Sequence, residues 1–387
     1  MKQSLLEEGN IGNDLLSFLK LLLNASKDLK RSCNPVNLAL YCSPDRYYIV
    51  QNLIPRAEKL FLVLHHSQLS RIAQLLSDLI TLINRDRISL DYTLACVLQR
   101  HFISYEIYHV SAAIESEIQG YLDREIVRNL ITAFLDEAGI GREGKIDALK
   151  DFETRLNCDF DGNLQETILK GKVFNLLENL LCDQNCDTKI KEQATHCVLA
   201  LVKFNKDVFF GLVLMGPIVP ELIAMSSCCS IRILISLIQL IRTPLIDELE
   251  CRGDIQRIVS LLETGCVCLR MKVVDCLCEM AYVGRKEVIE ELLELKVVEK
   301  LVNLQRFVTD SGNGGGASDE EGAKSTSKTE RLGCVLRFSI QVETGQGLSR
   351  KEKTELKTEI LRRIRESSVS EAEATSLIFD VLWGSGY

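Results

Sequence analysis

The chain has 387 residues, enough for two or three conventional domains or for one elongated array that grows by adding repeats. It is 46% hydrophobic and 26% charged, with 6% aromatics, one tryptophan (Trp383) and six prolines, a balance that fills a core and favours helix. A net charge of -8 at pH 7 excludes a generally basic surface, the kind that binds nucleic acid or an anionic membrane through clustered Lys and Arg.

Residues 1–13 carry Glu7 and Glu8 and no apolar stretch behind a basic start, so no secretory signal is expected and the chain is placed in the cytoplasm, the nucleus or both. Fifteen cysteines then read as reduced, mostly buried thiols and imply no disulfide framework. Over residues 1–138 the apolar spacing predicts helices at Asp14–Lys30, Arg56–His65, Gln68–Asn84, Leu90–Gln119 and Asp123–Ala138. Turn signals such as Asn34-Pro35 and Ser43-Pro44-Asp45 separate them. No period joins these helices, and a helical bundle or capping region is the expected packing.

Residues 139–308 repeat. One apolar ladder runs Ala194, Val198, Leu201, Val202; a second runs Ile231, Leu234, Ile235, Ile238; a third runs Val274, Leu277, Cys278, Ala281. Each has the spacing that lines one helix face. A turn and a new helix start follow each ladder, at Gly216-Pro217-Ile218-Val219-Pro220, Gly253-Asp254-Ile255 and Lys296-Val297-Val298. Pro217, Gly253 and Lys296 lie 23, 22 and 22 residues past the first ladder residue, and the ladders themselves advance by 37 and 43. The mean, near 40, is the period of armadillo and HEAT units. A further copy upstream takes Leu149, Phe152 and Leu156 as its ladder and Gly171-Lys172-Val173 as its turn, with Glu153 out of pattern. Such a unit cannot bury both faces alone, so neighbours must stack on one shared core.

The apolar run Val208–Pro220 is too short for a membrane span and reads as core. Residues 309–330 contain no Leu, Ile, Val or Phe and are expected to be a disordered insertion. Helical sequence resumes over 331–387, at Arg331–Val342, Arg350–Arg365 and Glu371–Trp383, to complete or cap the array. The second of these helices is rich in Lys and Arg, for which a solvated face is the default reading.

The segment Ala194-Thr195-His196-Cys197-Val198-Leu199-Ala200-Leu201, with the turn and helix start that follow it, resembles the third helix and next opening of an armadillo repeat. HEAT repeats are the alternative. The glycine-rich insertion late in the array and the irregular amino-terminal region resemble plant armadillo proteins related to U-box ligases. No U-box or RING pattern accompanies them, and Cys42-Ser43-Pro44 is at most an echo of one. The resemblance implies an all-α, right-handed solenoid of armadillo/HEAT-type repeats with an amino-terminal helical bundle. It further implies a non-catalytic scaffold or adaptor, or a substrate-recognition subunit in ubiquitin ligation, with other proteins as partners through helical or tail segments.

Armadillo proteins of nuclear import often place Trp and Asn two and six residues past the first ladder residue, and the Asn clamps an extended peptide. Here those positions are His196 and Ala200, Ile233 and Leu237, Cys276 and Met280, so the resemblance implies a largely apolar partner groove. Ser325, Thr326 and Ser327 in the insertion are candidate phosphorylation sites.

Catalytic and cofactor chemistry finds little purchase. Gly139-Ile140-Gly141-Arg142-Glu143-Gly144-Lys145 spells part of a phosphate-binding loop, but Ile146 stands where a Ser or Thr hydroxyl must meet Mg²⁺ and a helix precedes it where a strand should. Nucleotide binding there is the weakest alternative. Cys182/Cys186, Cys228/Cys229, Cys266/Cys268 and Cys276/Cys278 lack paired zinc-ligand spacing, and His65, His66, His101, His109 and His196 form no metal or triad motif. No cofactor or metal is expected, and the chain is expected not to be an enzyme.

Overall fold

The computed structural model describes residues 2–33, 67–88, 94–135, 141–313 and 333–383. Among these the chain is all-α, with no strand. It divides into two compact units, 1–132 with 161–171, and 133–160 with 172–387. The predicted helix Arg56–His65, the turns at 34–35 and 43–45, and Ser325, Thr326 and Ser327 lie outside the described residues.

The first unit is built on α1 (Lys2–Ser32), α2 (Ser67–Ile88) and α3 (Leu94–Leu135), whose last three residues count with the second unit. Leu69, Ile72, Leu76, Leu79 and Ile83 recur at three- and four-residue steps on α2 and meet Leu15, Leu19 and Leu22 of α1 and Ile107, Ile114 and Ile118 of α3 in one core. Burying each such side chain is worth about 1.5–3 kcal/mol. Cross-helix pairs Lys30–Glu115 (2.8 Å) and Arg71–Glu117 (3.0 Å) fix the orientation. The two helices predicted at Leu90–Gln119 and Asp123–Ala138 are one helix of 42 residues. Gly120 does not break it: a lone interior glycine costs about 1 kcal/mol, and the buried Ile114, Ile118, Tyr121 and Leu122 around it outweigh that cost. A short helix, α4 (Gly162–Lys170), belongs to the same unit.

The second unit is a solenoid. It opens with α5 (Arg142–Leu156), then α6 (Val173–Cys182) and α7 (Thr188–Phe204). Two complete triplets follow: α8 (Lys206–Met215), α9 (Ile218–Met225) and α10 (Cys228–Ile241), then α11 (Thr243–Cys251), α12 (Asp254–Ser260, continued as a 3₁₀ turn to Glu263) and α13 (Val267–Val283). A third triplet is α14 (Lys286–Glu294), α15 (Val297–Asn313) and α16 (Cys334–Thr344), and α17 (Arg350–Ser367) and α18 (Glu371–Trp383) begin another. Three helices per unit decide between the two expected repeat types: the array is armadillo-like, because a HEAT unit has two. The long third helices begin at Thr188, Cys228 and Val267, advancing by 40 and 39 residues. The ladder offsets of 37 and 43 instead lie close to the spacing of the helix ends, 37 and 42, since α10 is three residues shorter than α7 and α13.

The third helices α5, α7, α10, α13 and α16 stack in sequence, each packing on the next. Ala194, Val198, Leu201 and Val202, then Val274, Leu277, Cys278 and Ala281, are buried, as are Ile231, Leu234 and Ile238; Ile235 is half-exposed. The turns into α6, α12 and α15 use the left-handed region at Lys172 (φ 49°), Gly253 (φ 70°) and Lys296 (φ 59°), whereas the turn into α9 passes through Pro217 at φ -81°. Only Gly253 adopts it without a Cβ penalty. Gly347 is required for another reason: a Cβ there would sit 2.1 Å from the Gly284 carbonyl oxygen, where the α16–α17 loop rests on the end of α13. Salt bridges Arg285–Asp247 (2.6 Å), Lys300–Glu263 (2.6 Å) and Arg306–Glu373 (3.0 Å) tie successive units on their polar surfaces.

Two expectations change at the boundaries. Helix α15 continues to Asn313, into the segment expected to be disordered, because helical hydrogen bonds propagate past the last apolar residue of a packed helix. The run Val208–Pro220 is not wholly core: Phe209, Val213, Ile218 and Val219 are buried but Leu212 and Met215 are exposed. The basic-rich helix α17 keeps the expected solvated face, burying only Leu356, Ile360 and Ile364, and its charges are also paired within the chain, through Lys357–Glu343, Arg362–Glu359 and Arg363–Glu359. No single helix among the described residues is long and apolar enough to cross a membrane, and the one bent pair that passes by composition, Lys206–Met215 with Ile218–Met225, turns by 69°.

Candidate functional site

Stacking encloses the third helices on most of their circumference. Neighbouring third helices cover two flanks, the first and second helices cover the back, and only a narrow inner stripe meets solvent. On α10 that stripe is Arg232, Ile235 and Gln239; on α13 it is Lys272, Asp275 and Glu279, each residue 40 positions later. Both sets fall at i, i+3 and i+7, which a 3.6-residue helix places on one line. On α16 the stripe continues as Arg337, Ile340 and Gln341. Together these side chains line a cleft of about 350 Å³, with Cys278 at its floor.

The cleft mixes apolar lining from Ile235, Ile340 and Cys278 with polar side chains that are paired with one another. Gln239 Nε2 donates to Glu279 Oε1 at 2.8 Å, joining α10 to α13. Asp275 accepts from Lys272 Nζ at 2.9 Å and also from Arg337 Nη2, joining α13 to α16. The Arg337 side chain is only 14% exposed. Burial works against its charge, but the hydrogen bond and attraction from Asp275 outweigh that and hold its pKa above the usual arginine value. Burial pushes the Cys278 thiol up to about 12, so at neutral pH it is an uncharged floor.

A second polar group lies further along the same face. His196 on α7 places Nδ1 3.9 Å from Glu153 Oε1 of α5 and Nε2 3.3 Å from Cys229 Sγ of α10. Gln193 Nε2 donates to Glu153 Oε2 at 2.5 Å. Glu153, which departs from the ladder pattern in sequence, is thus the anchor of an inner-face network spanning three repeats.

The six residues expected to line an apolar groove are placed differently. His196 is half-exposed on the inner face, but Ala200, Ile233, Leu237, Cys276 and Met280 are 0–3% exposed and belong to the core. The correction follows from register. Ile233 and Leu237 sit one and two positions away from the solvent stripe of Arg232, Ile235 and Gln239, and one residue turns a helix by about 100°. Burial raises the Cys276 and Cys197 thiols strongly, and Cys197 Sγ donates to the Leu149 carbonyl at 3.3 Å, the behaviour of inert core thiols. The polar stripe was detectable as polar residues recurring at an exact 40-residue offset inside apolar ladders, Arg232 with Lys272 and Gln239 with Glu279.

The phosphate-loop-like segment is only partly described, Gly139 and Ile140 lying outside it. Gly141 precedes α5, and Arg142 to Lys145 form its first turn. Lys145 Nζ stacks over the Phe134 ring at 5.5 Å and Arg142 Nε pairs with Asp187 at 3.2 Å. Among the described residues no three His, Cys, Asp or Glu side chains are grouped to hold a metal ion.

No protein-family model matches the sequence, and no curated protein matches it. Among solved structures, a designed armadillo repeat protein in complex with the peptide (KR)4 is 16% identical, covering 67% of this chain and 98% of its own, with a TM-score of 0.43. Computationally designed armadillo repeat proteins for modular peptide recognition give 16% identity, 66% and 96% coverage and a TM-score of 0.42. An engineered protein from the Northeast Structural Genomics Consortium gives 13%, 67% and 98%, with a TM-score of 0.44. The armadillo reading of the fold rests on the chain's own three-helix, 40-residue repeat.

Proposed function

We propose that this chain is a protein-binding scaffold that holds a segment of a partner along the inner face of its solenoid, and that it acts without catalysis. One observation carries the reading: three consecutive third helices together line a 350 Å³ cleft with amide, carboxylate and cationic side chains interspersed with Ile235 and Ile340. Amides and carboxylates spaced by one repeat suit the hydrogen-bonding groups of an extended backbone, and the alternation of Arg232, Lys272 and Arg337 with Asp275 and Glu279 favours a segment of mixed charge. The narrower relation to U-box-associated armadillo proteins, with a role as substrate-recognition subunit, rests on the resemblance of the repeat motif and is tested by co-purification of ligase components. Action in the cytoplasm or nucleus, and phosphorylation at Ser325, Thr326 or Ser327, belong to the same proposal.

The test is selection of a displayed random-peptide library on the full chain, followed by affinity measurement with wild type and with R232E/E279K. Both positions reach solvent, so the variant should keep its far-UV circular dichroism. Selected peptides are expected to lose affinity at least about tenfold, the effect of about 1.4 kcal/mol. Peptides that bind the variant equally well, or a library that yields none, would reject the inner face as the binding surface.

A further inference from the structure

Cys228 and Cys268 open two consecutive third helices, α10 and α13, at positions 40 residues apart, one repeat. Because the helices stack in register, equivalent positions meet: the Cys228 thiol points at Cys268 Sγ across 3.3 Å. Cys228 is half-buried and Cys268 exposed, so small oxidants reach the pair. By contrast Cys334 Sγ approaches Met271 Sδ at 4.0 Å, a thioether that cannot form a disulfide.

We infer that Cys228 and Cys268 are a reversible redox site, at which a hydroperoxide or a low-molecular-weight disulfide converts the two thiols into a disulfide that staples α10 to α13. With hydrogen peroxide the exposed Cys268 sulfur attacks one peroxide oxygen, the O–O bond breaks, and a sulfenic acid and one water result. Cys228 sulfur then displaces the hydroxyl, the S–S bond forms and a second water leaves. Two electrons pass from the thiols to peroxide, and both thiol hydrogens leave in water. Burial, with the hydrogen bond to Cys268 next, pushes the Cys228 thiol up to about 11, so it stays protonated near neutral pH and the second, resolving step is slow there and accelerates as pH rises. The bond would cross between the helices that carry Arg232, Gln239, Lys272 and Glu279, fixing their spacing; it does not depend on what the groove binds.

The experiment oxidises the full chain with hydrogen peroxide, alkylates residual thiols with iodoacetamide and maps the digest without reductant. The expected result is a Cys228–Cys268 linked peptide pair, two hydrogen masses lighter than the separate thiol peptides, lost on adding dithiothreitol and absent in C228S and in C268A. Oxidised wild type is also expected to melt higher than reduced wild type, a shift that both variants abolish. The inference is overturned if Cys228 and Cys268 are both recovered alkylated, or if linkage through Cys266 or Cys229 predominates. Because each variant alone must abolish the link, misfolding of one leaves the other to decide.

Discussion

Replacing Asp275 by Asn tests how much of the solenoid's cohesion runs through the polar cleft. Asp275 bridges Lys272 on its own helix and Arg337 on the next, and the side chains of Asp275 and Arg337 are 25% and 14% exposed. Removing one partner of a fully buried ion pair costs about 3–5 kcal/mol, chiefly because the other charge is stranded. Partial exposure and the acceptor retained by Asn reduce the expected loss to about 1.5–3 kcal/mol. The double variant D275N/R337M removes the stranded charge and should recover about 1 kcal/mol of that loss. Urea unfolding followed by circular dichroism reads both values, and amide hydrogen exchange locates them, since a solenoid loses stability at the damaged interface first. Exchange should therefore accelerate in α16, α17 and α18. A D275N loss below about 0.5 kcal/mol, or singles that simply add in the double variant, would refute the argument that Arg337 depends on Asp275.

Two further outcomes follow from the geometry. Lys296 holds φ 59° at the turn before α15, so Lys296→Gly should stabilise the chain by about 0.5–1 kcal/mol, while Gly253→Ala at φ 70° should destabilise it comparably; thermal unfolding of the pair gives opposite signs or the strain argument fails. Hydrogen bonds from Arg362, opposed by a small burial effect, hold the Glu359 carboxyl down to about 2, so its contribution is complete above the ordinary carboxylate range of about 4.5 and is lost as pH falls from there towards 2. Glu359→Gln should flatten the stability profile in that acid window, and a wild-type Glu359 titrating near 4.5 by NMR would contradict the pairing.

The helical class, the period near 40 and the turns that punctuate it are legible in the order of residues alone. Those features are local or strictly periodic: Ala194, Val198 and Leu201 mark a buried face wherever the helix packs, and Gly253 marks a left-handed turn without help from its surroundings. The meaning of the other faces depends on how the helices pack. A third helix in this array is covered on three sides, so polarity in sequence could not separate Ile233 and Leu237, which are core, from Ile235, which lines the cleft two residues away. Likewise Gly120 carries a break signal that the packing of Ile118 and Leu122 overrides. The meeting of Cys228 with Cys268, of Gln239 with Glu279 and of Asp275 with Arg337 depends on the register in which successive repeats stack, and that register is set by the summed burial of whole helices.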